Sequence, residues 1–365
     1  MVDASSLLNF SSSPLAVGDW TYSAYARSAP SYLPLNSYTA SYLVSSYPAL
    51  GALIVPVITP VSYTATARTL SSAGTWISVA YGNGIFVAVG GSATVAASSP
   101  DGITWTSRTM PSAGWSAVTF GNGVFVAVAT GSNVSATSVD GITWTARTIS
   151  ATTAWYGVGY GNGLFVAVSN TSGTIASSSP DGITWTARTL PATQSWTSVA
   201  YGNGVYVAIG QTATGAVSTD GITWRSTTLP SAISWQSVTF GNGVFVAIPF
   251  GGAVAATSTN GIDWVSRTLP SNSNWSCVTY GNNAFVTVAY GSNIAATSPD
   301  GVTWTSRTLP SSSNWFSVAY GASKFSTVAS GSTVAATIDY AVNATSFVLP
   351  VVAPRSGTTP YVKAT

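Results

Sequence analysis

The sequence predicts an all-β fold, a seven-bladed β-propeller of four-stranded blades over residues 61–341, with a small module formed from both termini. Three observations predict it. A tryptophan recurs roughly every 40 residues, at Trp76, Trp115, Trp155, Trp196, Trp235, Trp275 and Trp315. The same succession of short strand-like runs and turns follows each one, with no stretch of helical period. A copy of the unit's last strand, Ala65-Thr66-Ala67-Arg68-Thr69-Leu70, precedes the first tryptophan, as it must if the final blade is closed by the start of the chain.

In the first unit the strands read as 78–81, 86–89, 94–98 and 104–109. Gly82-Asn83-Gly84 separates the first two and is echoed at Asn122-Gly123, Asn162-Gly163, Asn203-Gly204 and Asn242-Gly243. Asn-Gly tolerates the positive φ angles of a two-residue hairpin turn, so each is a tight turn. The pattern decays to Asn282-Asn283 and Ala322-Ser323, where a looser turn is expected. Between the third and fourth strands stands Asp101-Gly102, with counterparts at Asp140, Asp181, Asp220, Asn260 and Asp300. Six further tryptophans sit in the fourth strands, at Trp105, Trp144, Trp185, Trp224, Trp264 and Trp304. Burial of one such ring stabilises by about 2–3 kcal/mol, which suits them to holding blades together. Radial closure also removes the open edges that so polar a β-protein would expose.

Only 5% of residues are charged, against about 25% in ordinary domains. The acidic residues are nine Asp, with no Glu and no His. The net charge of +2 comes without a basic stripe, which excludes nucleic acid as a partner. Arg68, Arg108, Arg147, Arg188, Arg267 and Arg307 share one repeat position on the outermost strand, where charge discourages edge pairing. The most apolar run, 49–58, contains Pro56 and is about half a spanning helix, so no membrane insertion is expected. The N-terminus lacks a basic stretch followed by an apolar one. Cys277 reads as a small buried thiol. With no His, no cysteine cluster and no phosphate loop, no metal, cofactor or catalytic residue is assigned, and the chain reads as not an enzyme.

The segment Ser99-Pro100-Asp101-Gly102-Ile103-Thr104-Trp105 resembles the Asp-box of sialidase-like propellers, one residue shorter between Asp and Gly. That resemblance implies a structural hairpin turn away from an active site. True sialidases use an Arg triad, a Tyr–Glu nucleophile pair and an Asp acid, and Glu is absent here.

Outside the repeats, Tyr32-Leu33-Pro34-Leu35-Asn36 and Tyr47-Pro48-Ala49-Leu50 resemble the opening of the phage tail-collar family. Thr345-Ser346-Phe347-Val348-Leu349-Pro350 and Thr358-Thr359-Pro360-Tyr361-Val362-Lys363-Ala364-Thr365 look like its ending. The resemblance implies a collar-like attachment module made of residues 1–60 and 342–365, split by the propeller, with residues 61–70 closing blade seven. It further implies a virion tail protein whose terminal module meets other virion tail proteins, as a homotrimer in many collar-like fibres. An arm and tail packed beneath the propeller is the alternative.

The hairpin turns repeat nearly unchanged, whereas the loops between second and third strands and between blades vary, and in a propeller these variable loops share one face. Gln194, Gln211, Phe250, Asn272, Asn274, Tyr290 and Asn314 lie on them and are the candidate receptor-binding residues, amides for sugar hydroxyls and aromatic rings for sugar faces. The expected function is a non-catalytic tail-fibre or tail-tip module that binds a host-surface glycan or protein. The alternatives are a structural spacer and, less favoured, a glycan-degrading enzyme.

Overall fold

The computed structural model describes residues 53–58, 62–91, 94–341 and 344–349. The chain divides into two units, Ser62–Ala341 and the segments flanking it. Among the described residues, the flanking unit forms one two-stranded antiparallel sheet, Leu53–Ile58 against Ala344–Leu349, with Val55 paired to Phe347. This corrects the expected collar-like module, which is not shown: among the described residues the flanking unit is a single strand pair. Residues 32–36, 47–50 and 358–365, which suggested it, lie outside the described residues.

Ser62–Ala341 is a β-propeller of six hydrogen-bonded sheets, and this corrects the expected seven separate four-stranded blades. Five sheets are four-stranded antiparallel meanders, such as Trp155–Gly161, Leu164–Ser169, Gly173–Ser179 and Thr186–Gln194. The remaining sheet has six strands and holds two tryptophan repeats, those of Trp76 and Trp315. Two long strands cause the fusion. Ser62–Gly82, of 21 residues, pairs first with Lys324–Ala341 and then with Ile85–Gly90. Lys324–Ala341, of 18 residues, pairs at its start with Trp315–Gly321. Because neither strand breaks between successive partners, the last repeat and the first are welded into one sheet.

Each opening tryptophan is fully buried. Its indole N–H usually donates to a carbonyl four residues earlier, as Trp115 does to Pro111 (3.2 Å) and Trp235 to Ser231 (3.0 Å). The strand it opens ends in Tyr or Phe followed by Gly, and that aromatic ring lies over the glycine of the preceding repeat. A Cβ added to Gly82, Gly202 or Gly241 would sit 2.0 Å from the ring of Phe120, Phe240 or Tyr280. Gly321 stands in the same relation to Tyr81, also at 2.0 Å, so the contacts run from the last repeat back to the first. Serine hydroxyls reinforce the seams by accepting neighbouring backbone amides: Ser78 from Val118, Ser198 from Val238 and Ser317 from Val79, each at 3.1 Å.

Hairpin turns of successive repeats lock onto one another. Asn203 donates its side-chain amide to Gly243 O (3.1 Å) and Thr259 O (2.8 Å) of the next repeat, and Asn83 does the same to Gly123 O and Val139 O. Ala322 and Ser323 keep positive φ angles of 46° and 61°, as do Asn282 and Asn283. The expected looser turns are therefore as tight as the others, since the ladder pairs Gly281 with Ala284 and Gly321 with Lys324 and leaves two-residue loops that require positive φ, at some cost in strain. In the Asp-Gly turns, Asp140 Oδ1 accepts from the Ile142 and Thr143 amides at 2.8 Å and from Ser138 Oγ at 2.9 Å. Asn260 fills the same role with an amide oxygen. The six repeat arginines each donate Nε to a hydroxyl on the adjacent strand, for example Arg188 to Ser178 (2.8 Å) and Arg307 to Thr297 (2.9 Å).

Two outcomes follow from these contacts. Gly241→Ala forces a methyl into the Tyr280 ring and is expected to lower stability by about 1–3 kcal/mol in denaturant unfolding. At Asp140, slight burial raises the carboxyl pKa, but the Thr143 and Ile142 amides and the Ser138 hydroxyl outweigh it and bring the value to about 2. A depressed native pKa contributes stability above the unfolded value of about 4 that is lost as pH falls through about 2. Asp140→Asn, which copies Asn260, is expected to keep the turn and flatten that part of the acid-unfolding curve; an unchanged curve would contradict the assignment.

Candidate functional site

The inner strands surround a channel that encloses about 390 Å³. In each of them the ladder shifts register just after the opening tryptophan, as between Trp155 and Gly157 or Trp235 and Ser237. A bulge of this kind frees one residue from pairing and re-aims its side chain. The freed residues are Ile77, Ser116, Tyr156, Thr197, Gln236, Ser276 and Phe316, and all of them line the channel. Large and small residues alternate along the chain from Ile77 to Phe316, so the two large ends meet where the ring closes. The small hydroxyl residues are buried and donate to the backbone of the next repeat: Ser116 to Trp155 O (2.6 Å), Thr197 to Trp235 O (2.7 Å) and Ser276 to Trp315 O (2.8 Å). The large ones, Ile77, Tyr156, Gln236 and Phe316, are half-buried and occupy the end of the channel where the inner strands begin.

Tyr156 and Gln236 meet although one repeat lies between them, Gln236 Nε2 donating to Tyr156 Oη at 3.0 Å. Burial pushes the Tyr156 phenol above its ordinary value and the Gln236 bond opposes this, so it is a neutral hydroxyl at pH 7. No Asp, Glu, Lys or Arg lines the channel among the described residues. Cys277 lines it too, half-buried, with Sγ 3.8 Å from Val318 O.

Phe316 connects the channel to the variable loops. Its ring stands edge-on to Tyr290, centroids 6.1 Å apart at 84°, and Tyr290 lies 6.3 Å from Phe250. Phe250 is 41% exposed and forms an antiparallel bridge with Asn274, whose carbonyl accepts from the Tyr290 amide at 2.8 Å. Asn272 and Asn274 are exposed beside this aromatic row, and Asn314, half-buried, directly precedes the opening Trp315 of the next repeat. The structure thus brings Phe250, Asn274 and Tyr290 together. Gln211 is exposed elsewhere on the ring, following Val205–Gly210. Gln194 is 4% exposed and already satisfied, donating Nε2 to Thr214 O and accepting from Thr212 Oγ1, both at 2.6 Å, so it braces a loop.

Tyr156, Gln236 and Phe316 escape a reading that looks only at loops. Their signal is positional: the residue after the opening tryptophan changes from repeat to repeat while the tryptophan before it and the valine three places after the tryptophan stay fixed in all seven.

No family model and no curated protein matches the chain. Solved structures match its fold. Virginiamycin B lyase from Staphylococcus aureus aligns over 76% of this chain and 99% of its own, with TM-score 0.69 and 12% identity. YCF48 bound to D1 peptide aligns over 77% and 97%, with TM-score 0.61 and 16% identity. The WD40 domain of Toxoplasma gondii coronin aligns over 80% and 89%, with TM-score 0.58 and 11% identity. Identities this low establish the propeller alone. They also correct the expectation that the chain is not an enzyme, because a lyase shares this fold and the architecture does not separate binding from catalysis.

Burial raises the Cys277 thiol pKa, opposed by hydrogen bonds involving Val318, Ser317 and Ser237. Native protein at neutral pH is therefore expected to react with a disulfide reagent far more slowly than denatured protein, because the thiolate is the reactive form. Equal rates would show the channel wall to be open.

Proposed function

We propose that Ser62–Ala341 is a recognition module that binds a host-surface glycan on the face where the inner strands begin, through Phe250, Asn272, Asn274 and Tyr290. The observation that carries this reading is the aromatic row Phe250–Tyr290–Phe316, flanked by exposed amides and ending at the channel. Exposed aromatics supply stacking surface at low entropic cost, and amides supply both donors and acceptors. The opposite face is committed to turn-to-turn hydrogen bonds. A propeller is consistent with a binding module, and the collar-like sequences at both ends support a place in a phage tail fibre or tail tip, held to other tail proteins by the terminal segments in a homotrimer.

A catalytic reading is favoured by the structural match to virginiamycin B lyase. One such structure, solved with quinupristin, is an inactive variant with a histidine replaced by alanine. This sequence holds no histidine, so catalysis here would use other groups.

Glycan-array and whole-cell binding by the full chain tests the proposal. Phe250→Ala and Tyr290→Ala are each expected to weaken saturable binding by about tenfold, the loss of one stacking contact of order 1 kcal/mol. Absence of binding at high concentration would favour a structural spacer, and altered glycan mass after incubation would favour catalysis.

A further inference from the structure

The mouth of the channel has a chemistry that narrows the ligand, and the argument rests on the binding reading above. Four large side chains crowd it: Ile77, Tyr156, Gln236 and Phe316. Each stands at a bulge, where backbone pairing no longer dictates what the side chain does. The intervening Ser116, Thr197 and Ser276 donate to backbone carbonyls, so among the seven residues at the bulges Tyr156 and Gln236 are the ones with side-chain donors and acceptors left for a ligand. Tyr156 accepts from Gln236 and keeps its own O–H proton for another acceptor. Gln236 keeps its carbonyl oxygen, for which no partner occurs among the described residues, and a second N–H. One neutral donor and one neutral acceptor therefore sit side by side in an open-ended channel of about 390 Å³ that Phe316 also lines and that has no charged side chain in its wall among the described residues.

We propose that this mouth seats one neutral sugar ring, with adjacent hydroxyls held by Tyr156 Oη and Gln236 Oε1 and its carbon face against Phe316, while the rest of the glycan follows Tyr290 and Phe250 outward. A uronate, sialate or sulfated sugar is selected against, since a buried charge without a partner is costly. The volume lies within the range of about 300–1,000 Å³ found for small-ligand pockets.

The test is binding of full-length wild type, Tyr156→Phe, Gln236→Ala and Phe250→Ala to a panel of immobilised neutral and acidic oligosaccharides at low and high salt. Neutral oligosaccharides are expected to bind with affinity insensitive to salt. Tyr156→Phe and Gln236→Ala are each expected to weaken that binding by about tenfold through loss of one hydrogen bond. Tyr156→Phe keeps the ring, and an unchanged thermal transition shows that the loss is not one of folding. If both channel variants bind as wild type while Phe250→Ala does not, the channel assignment fails and the loop-face reading stands. Binding confined to acidic oligosaccharides also overturns the channel assignment. Binding to none overturns both.

Discussion

An aromatic ring laid across a glycine holds the propeller together. Each inner strand ends in glycine because the Tyr or Phe of the next repeat occupies the space a Cβ would take, 2.0 Å away at Gly202 and Gly321 alike. Such contacts are all-or-none, since protein interiors are packed too densely to absorb a methyl group at that distance. They also fix how closely neighbouring inner strands approach, and that approach lets Ser78, Ser198 and Ser317 reach the next backbone amide. Tyr81 over Gly321 and the shared strands Ser62–Gly82 and Lys324–Ala341 then join the end of the array to its beginning.

A ring assembled this way divides its two faces between different tasks. On one, asparagine side chains and Asp-Gly turns exchange hydrogen bonds from repeat to repeat, which leaves little room for variation. On the other, the bulge after each tryptophan releases a side chain whose identity the sheet does not constrain. Ser116, Thr197 and Ser276 use that freedom to tie down neighbouring backbone, and Tyr156, Gln236 and Phe316 face the channel. The low charge of the chain carries into this cavity, where hydrogen-bonding capacity and aromatic surface remain but ionic recognition does not.

Much of this was legible in the sequence because the repeat makes each local signal self-checking. Asn-Gly and Asp-Gly in register announced the turns, and the spaced tryptophans announced the core. The number of separate sheets was not legible, because whether residues 70–75 interrupt a strand depends on pairing with Lys324–Ala341 across the whole chain. The tight turn at Ala322-Ser323 was also hidden, since its residues disfavour positive φ and the strand pairing that closes Gly321 on Lys324 enforces it. At the candidate site, Phe250 and Tyr290 stand out in the sequence as loop aromatics, whereas the burial of Gln194 does not, because a loop amide bonded to Thr212 and Thr214 looks the same in sequence as a free one. The Tyr156–Gln236 contact spans 80 residues and no local pattern encodes it.

The claim on which the rest depends is that the glycine contacts close one cooperative ring. Hydrogen exchange on the full chain carrying Gly321→Val, compared with wild type, tests it most directly. The account predicts that opening the Tyr81 contact lowers protection in the inner strands of every repeat together, including Trp196–Gly202 on the far side of the sequence. Loss of protection confined to Trp315–Gly321 and Ser62–Gly82, with the other sheets unchanged, would show that the repeats stand independently and would contradict it.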